Sequence, residues 1–176
     1  PDVARANLPA LRQAMQDAGL DGLFIPHEDA YQNEYLPDAN ERLAWATGFT
    51  GSAGAALVFR DHAVVFADGR YTIQVAEQVP EERFEIAGLP DPGPFGWLAG
   101  QSLAGQTIGY DPQLMTPNAV AALTAAAAKA GAELRALETN PIDTAWQDRP
   151  ALPRARVSVQ PLAAAGDPVA PAQHEH

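Results

Sequence analysis

The sequence predicts an α/β domain built on one mixed β-sheet with helices on both faces. Three observations carry this. Amphipathic helical segments alternate with short apolar strands along the first 140 residues. Two of those strands follow one another through a tight turn, which demands an antiparallel pair. Helices separate the rest, and adjacent strands together with helix crossovers imply a mixed sheet.

Leu8, Leu11, Met15 and Ala18 recur at spacings of three and four, which predicts an amphipathic helix over residues 3–18, ended by Gly19. Gly22 to Ile25 reads as a short buried strand. Residues 27–38 are polar and aromatic without a period and read as a long loop. Ala39–Thr47 reads as a short helix with Asp38 as its N-cap. The run Gly48-Phe49-Thr50-Gly51-Ser52-Ala53-Gly54 is a turn, since three glycines weaken either regular structure. Ala55–Phe59 and His62–Ala67 are apolar and β-branched, and Arg60-Asp61 joins them as a hairpin. A second turn, Asp68-Gly69-Arg70-Tyr71, leads into a helix over Tyr71–Gln78 with its apolar spacing at Ile73, Val75–Ala76 and Val79.

Phe84–Leu89 is a strand, the Pro90–Pro94 run breaks the chain, and Phe95–Ala99 is a short helix carrying Trp97. Thr107–Asp111 is a strand. Thr116 with Pro117 opens an Ala-rich helix that Gly131 stops near Ala130. Glu133–Leu137 is the last strand. Residues 1–150 therefore read as one domain, with Ile142 and Trp146 docking the Pro141–Arg149 segment. Prolines at 150, 153, 161, 168 and 171 mark residues 151–176 as a linker or the start of a following domain. The proline at position 1 suggests a trimmed start.

The 176 residues are 47% hydrophobic and carry 11 Lys and Arg against 22 Asp and Glu, a formal charge of −11, with Lys129 the single lysine. Such a chain repels nucleic-acid phosphates and anionic lipid. There is no cysteine, so disulfides and thiolate metal sites are excluded. No apolar stretch reaches the roughly 18–20 residues that span a bilayer, and residues 1–15 have no signal-type apolar segment. Cytoplasmic residence is the expectation.

The chemistry-bearing patterns fail one by one. Gly48, Gly51 and Gly54 are spaced G-x-x-G-x-x-G before a strand, whereas a dinucleotide fingerprint follows a strand and opens a helix. Ser52 lies in Gly-Ser-Ala-Gly and lacks the nucleophile-elbow pattern. Histidines 27, 62, 174 and 176 form no helical metal pair; His27, Glu28 and Asp29 are consecutive and diverge, and His174-Glu175-His176 reads as a tail. No catalytic residue and no metal ligand emerges. Arg70 stands apart. It reads either as a surface ion pair with Asp68 or Glu77, or as a guanidinium aimed at a carboxylate. Trp45, Phe49, Tyr71, Trp97 and Trp146 read as packing residues.

The string Asn40–Gly54, then Asp68-Gly69-Arg70-Tyr71, resembles the N-terminal domain of Xaa-Pro aminopeptidases, within the creatinase and prolidase domain type. Gln32-Asn33-Glu34-Tyr35 before it and Asn140–Pro150 after it strengthen the likeness, which runs from about residue 5 to residue 162. Tyr31 departs from the His that many relatives carry before Gln-x-Glu-Tyr. The resemblance implies a creatinase-like mixed-sheet fold and a non-catalytic domain that shapes a substrate cleft and contributes to a homodimer. It implies a parent hydrolase that removes the residue preceding proline. Its C-terminal catalytic domain would hold two divalent metal ions, usually manganese, with no cofactor in this segment. The partners it implies are that catalytic domain and a peptide with proline at its second position. It carries one residue role, substrate binding by Arg70. The Pro-rich tail admits a different reading, a stand-alone protein-interaction module without a peptidase.

Overall fold

The computed structural model describes residues 2–154, 156, 158 and 161. Six helices and six strands follow in the order α1 (Asp2–Asp17), β1 (Gly22–Pro26), α2 (Arg42–Thr47), β2 (Gly54–Phe59), β3 (Ala63–Ala67), α3 (Thr72–Gln78), β4 (Glu85–Gly88), α4 (Gly93–Ala99), β5 (Thr107–Tyr110), α5 (Pro117–Ala130), β6 (Glu133–Ala136) and α6 (Pro141–Ala145). The sheet order is β4-β3-β2-β1-β5-β6. β2 pairs antiparallel with both β1 and β3, and the outer pairs are parallel. This is the mixed sheet that the alternation of elements requires.

The central strands are apolar at every position because both faces are covered. On one face Leu23, Ile25, Ala56, Val58, Ala63 and Val65 meet α1, α2, α3 and α6 through Leu8, Leu11, Leu43, Val75 and Ile142. On the other, Phe24, Leu57, Phe59, Val64 and Phe66 meet α4 and α5 through Leu98, Leu123 and Ala127. The edge strands behave differently. In β6 only Leu134 is half-buried, and in β4 Glu85 and Ile86 are exposed.

The hairpin closes with Phe59 N–H donating to the His62 carbonyl at 2.8 Å. His62 sits at its corner, stacked on Phe59 with ring centroids 4.4 Å apart. The caps of α5 follow the sequence: Thr116 Oγ accepts from Ala119 N–H, and Gly131 ends the helix at φ 77°.

Two local expectations fail. Asp38 caps nothing with its side chain. It starts a short 3₁₀ turn over Asp38–Asn40, and α2 begins only at Arg42 because Glu41, at ψ 53°, breaks the helical path. Ile73 lies on the solvent side of α3, 76% exposed, and the helix packs through Val75 and Val79 instead. The linker reading of residues 151–176 falls largely outside the described residues, as do His174 and His176; within it, Ala151 to Arg154 are exposed and carry no regular structure.

Candidate functional site

The Gly-rich turn and the Asp68–Tyr71 turn lie together at one end of the β2–β3 hairpin, joined where Asp68 N–H donates to the Ala53 carbonyl at 3.2 Å. Phe49 fills the space beneath them. A Cβ on Gly51 would lie 2.3 Å from the Phe49 Cζ atom, and one on Gly54 would lie 2.8 Å from Cε1. The glycines are therefore room for a ring rather than an anion cradle. Tyr71 packs edge-on against Phe49, with centroids 5.7 Å apart, and its hydroxyl lies 2.8 Å from Ser52 Oγ.

Arg70 sits on the 3₁₀ turn Gly69–Tyr71. Asp68 caps that turn by accepting from Arg70 N–H, and the same Oδ1 accepts from Arg70 Nε at 2.8 Å. Of the two partners the sequence offered, Asp68 is the one used. This hydrogen bond holds the Asp68 carboxyl below its ordinary range and raises the guanidinium further. The side chain remains 70% exposed, and among the described residues neither terminal nitrogen has a hydrogen-bond partner. Asp68 thus fixes the root of the guanidinium and leaves its two-nitrogen edge facing outward. That edge can receive a carboxylate or carbonyl in paired geometry.

Two polar constructions were not read from the sequence, although the first is a local Asx-type turn. Asp29, 1% exposed, accepts from Tyr31 N–H, Asn33 N–H and Asn33 Nδ2 at 2.8–3.1 Å. Burial works against its charge, but these hydrogen bonds prevail and hold its carboxyl below the ordinary value. They organise the 27–38 loop, where Gln32 takes φ 56° and Tyr31 and Tyr35 stand exposed. The second construction centres on Asp143. It accepts from Arg42 Nε and Nη2 at 2.7 and 2.9 Å and pairs with Arg149 at 2.9 Å, while Arg149 Nε donates to the Ala39 carbonyl. This clamp ties α2, α6 and the chain that follows.

Trp45 and Trp146 stack at 5.8 Å on the α1 side of the sheet, and Trp97 packs against Phe59 and Phe66. Among the described residues no three His, Asp or Glu side chains cluster as a metal ion would require, and no helix is long and apolar enough to cross a membrane. No chemical step through a metal can be assigned to these residues.

Residues 8–142 match the Creatinase/Prolidase N-terminal domain. The chain belongs to that family. Curated relatives of this domain chain include the "Probable Xaa-Pro aminopeptidase P" of Pyrenophora teres f. teres (strain 0-1), 36% identical over 163 residues, which are 90% of this chain and 25% of the relative. That of Coccidioides posadasii (strain C735) is 37% identical over 162 residues, again 90% of this chain and 25% of the relative. The chain therefore spans about a quarter of the length of these relatives. Among solved structures, the X-prolyl aminopeptidase from Caenorhabditis elegans, described as a cytosolic enzyme with a di-nuclear active site, superposes with a TM-score of 0.76 at 27% identity, over 85% of this chain and 26% of that one. The N-terminal domain of cytoplasmic peptidase PepQ from Mycobacterium tuberculosis H37Rv superposes with a TM-score of 0.62 at 26% identity, covering 80% of this chain and 98% of that one. The match thus takes up almost all of the PepQ domain structure and about a quarter of the Caenorhabditis elegans chain.

Proposed function

We propose that this creatinase/prolidase-type domain is the non-catalytic N-terminal domain of a metal-dependent Xaa-Pro aminopeptidase of the cytoplasm. Residues 1–150 form the domain, and residues 151–176 lead into the next one. Its work is to wall the substrate cleft, to contribute to a homodimer and to hold the peptide through Arg70. Paired divalent ions, with manganese the metal proposed, belong to the catalytic domain of the parent. The peptides concerned carry proline at the second position.

The observation that carries this is the guanidinium of Arg70, rooted by Asp68 and presenting its terminal nitrogens to solvent at the end of a rigid hairpin. A guanidinium stays protonated across the ordinary pH range, so a charge presented in this way can position a peptide carbonyl or carboxylate rather than transfer a proton. Asp68 serves as a positioning residue, since it limits the rotamers open to Arg70 before substrate arrives. The relatives named above supply the substrate class.

The test is Arg70→Ala in the full-length parent, assayed on tripeptides with proline second. kcat/KM is expected to fall roughly 10- to 100-fold, the range for one lost charge-assisted hydrogen bond. Arg70→Lys should recover little, because an ammonium cannot match the two-nitrogen edge. Unchanged tripeptide kinetics refute the role of Arg70. The 176-residue chain alone, supplied with manganese, should show no peptidase activity, and clear turnover would overturn the division of labour.

A further inference from the structure

A single hydrogen bond does not fix a flat group in direction. Asp68 Oδ1 meets the Arg70 side chain only at Nε, at 2.8 Å, so the guanidinium could still swing about that contact and turn its two-nitrogen edge away. Arginine carries enough rotamer freedom for this to matter in a side chain that is 70% exposed. A second restraint is present. The Arg70 Cζ atom stands over the ring of Tyr71, 5.5 Å from its centroid. At that range the face of an aromatic ring attracts a guanidinium.

The ring can restrain Arg70 because it is itself held on three sides. It packs edge-on against Phe49, which is 1% exposed, so that side rests on the core. Its hydroxyl shares a 2.8 Å hydrogen bond with Ser52 Oγ. Its Cδ1 lies against Gly51, where a Cβ would come within 3.0 Å. Phe49, Gly51 and Ser52 all precede β2, whereas Tyr71 follows β3, and the pairing of those strands fixes one group against the other. The Gly-rich turn therefore does more than make room for Phe49. It builds the seat of a ring that lies under the Arg70 charge.

We propose that Tyr71 is a second positioning residue for Arg70, its ring seated by Ser52 and carrying the face of the guanidinium while Asp68 holds the root. Restraints on two different sides leave the terminal nitrogens one outward direction. In catalysis this deepens the peptide-binding reading above and rests on it. A guanidinium aimed beforehand loses less freedom when a peptide carbonyl or carboxylate arrives. Tyr71 acts through Arg70 and not on the peptide.

The first test uses the 176-residue chain and no substrate. The heteronuclear NOE of the Arg70 Nε–Hε group, identified by its loss in Arg70→Lys, reports how far the guanidinium swings. It should be high in the unsubstituted chain and fall in Tyr71→Leu. Ser52→Ala and Tyr71→Phe cut one hydrogen bond from its two ends. Each should lower the NOE by a smaller amount, and the two together should lower it no further. The second test is kinetic, in the full-length parent on tripeptides with proline second. Tyr71→Leu should raise KM about 2- to 5-fold, the range for an exposed cation–π contact, and should add nothing once Arg70 is alanine. An NOE unchanged in Tyr71→Leu overturns the proposal, as does one unchanged in Ser52→Ala should the leucine variant fail to fold. A Tyr71→Leu loss that persists in Arg70→Ala overturns it too, since the ring would then act by another route. If the NOE falls while Arg70→Ala leaves tripeptide kinetics unchanged, the restraint by Tyr71 stands and the peptide-binding reading of Arg70 is what fails.

Discussion

Replacing Asp143 by alanine is the sharpest test of how this domain is held together. The substitution deletes three charge-assisted contacts, two from Arg42 and one from Arg149, all between 2.7 and 2.9 Å. What remains decides the magnitude. Arg42 is 8% exposed and keeps its charge, so it is left buried without its counter-ion. Breaking a buried pair in this way costs about 3–5 kcal/mol. The lower end applies, because Asp143 is 28% exposed and water can enter, and because Arg149 keeps its bond to the Ala39 carbonyl. The expected loss is therefore about 3 kcal/mol, or about 6–12 °C in Tm for a domain of this size. Urea unfolding read by tryptophan fluorescence measures it, since Trp146 follows α6 directly and stacks on Trp45. Replacing Arg42 by methionine in the same background should recover much of the loss by removing the stranded charge. A loss below about 1 kcal/mol for Asp143→Ala, or no recovery in the double variant, would refute the clamp as a source of stability.

The other expectations concern Glu41 and Gly51. Burial raises the folded pKa of Glu41 above its ordinary 4.5. Its contribution to stability is thus fully present below the unfolded value and lost as pH rises through the folded one. Glu41→Gln should therefore raise the urea midpoint at pH 7, with the advantage fading below about pH 4; a lower midpoint at pH 7 contradicts this. Gly51→Ala drives a methyl into the Phe49 ring and towards Tyr71, where a Cβ would meet Cδ1 at 3.0 Å. It should cost about 1–3 kcal/mol, and Phe49→Leu in the same chain should return part of it in the unfolding midpoint.

The sheet and its order of elements were legible because the central strands are covered on both faces. Leu57, Val58, Val64 and Val65 form continuous apolar runs that no helical period explains. The α5 boundaries were legible because Thr116, Pro117 and Gly131 each carry a local rule. Asp38 misled because a cap needs a helical path after it, and Glu41 departs from that path. Ile73 misled because α3 is short and lies at the rim, where one face suffices to anchor it through Val75 and Val79. The Asp143 clamp was illegible for a different reason. Arg42 and Asp143 are 101 residues apart, and their pairing exists only once α2 and α6 have met. In the candidate site, the sequence offered Asp68 and Glu77 as partners of Arg70, and only the structure shows that Asp68 is the one used. The tie between Ser52 and Tyr71 was not legible, since the two are 19 residues apart and meet only once β2 and β3 have paired.

The packing of α1 on both α2 and α6 sets a timetable for synthesis. Leu8, Leu11 and Met15 share one cluster with Ile142, so the apolar stripe of the first helix is not sealed until nearly the whole domain exists. At about 5–20 residues per second, the roughly 125 residues between them take about 6–25 s to emerge. During that interval an amphipathic helix with an open face stands on the nascent chain. A ribosome paused before Asn140 is made would expose it for longer, and a chain released there would keep that face bare for chaperones or proteases to find. Completion of this fold is therefore timed by the arrival of its last short helix rather than by the assembly of its sheet.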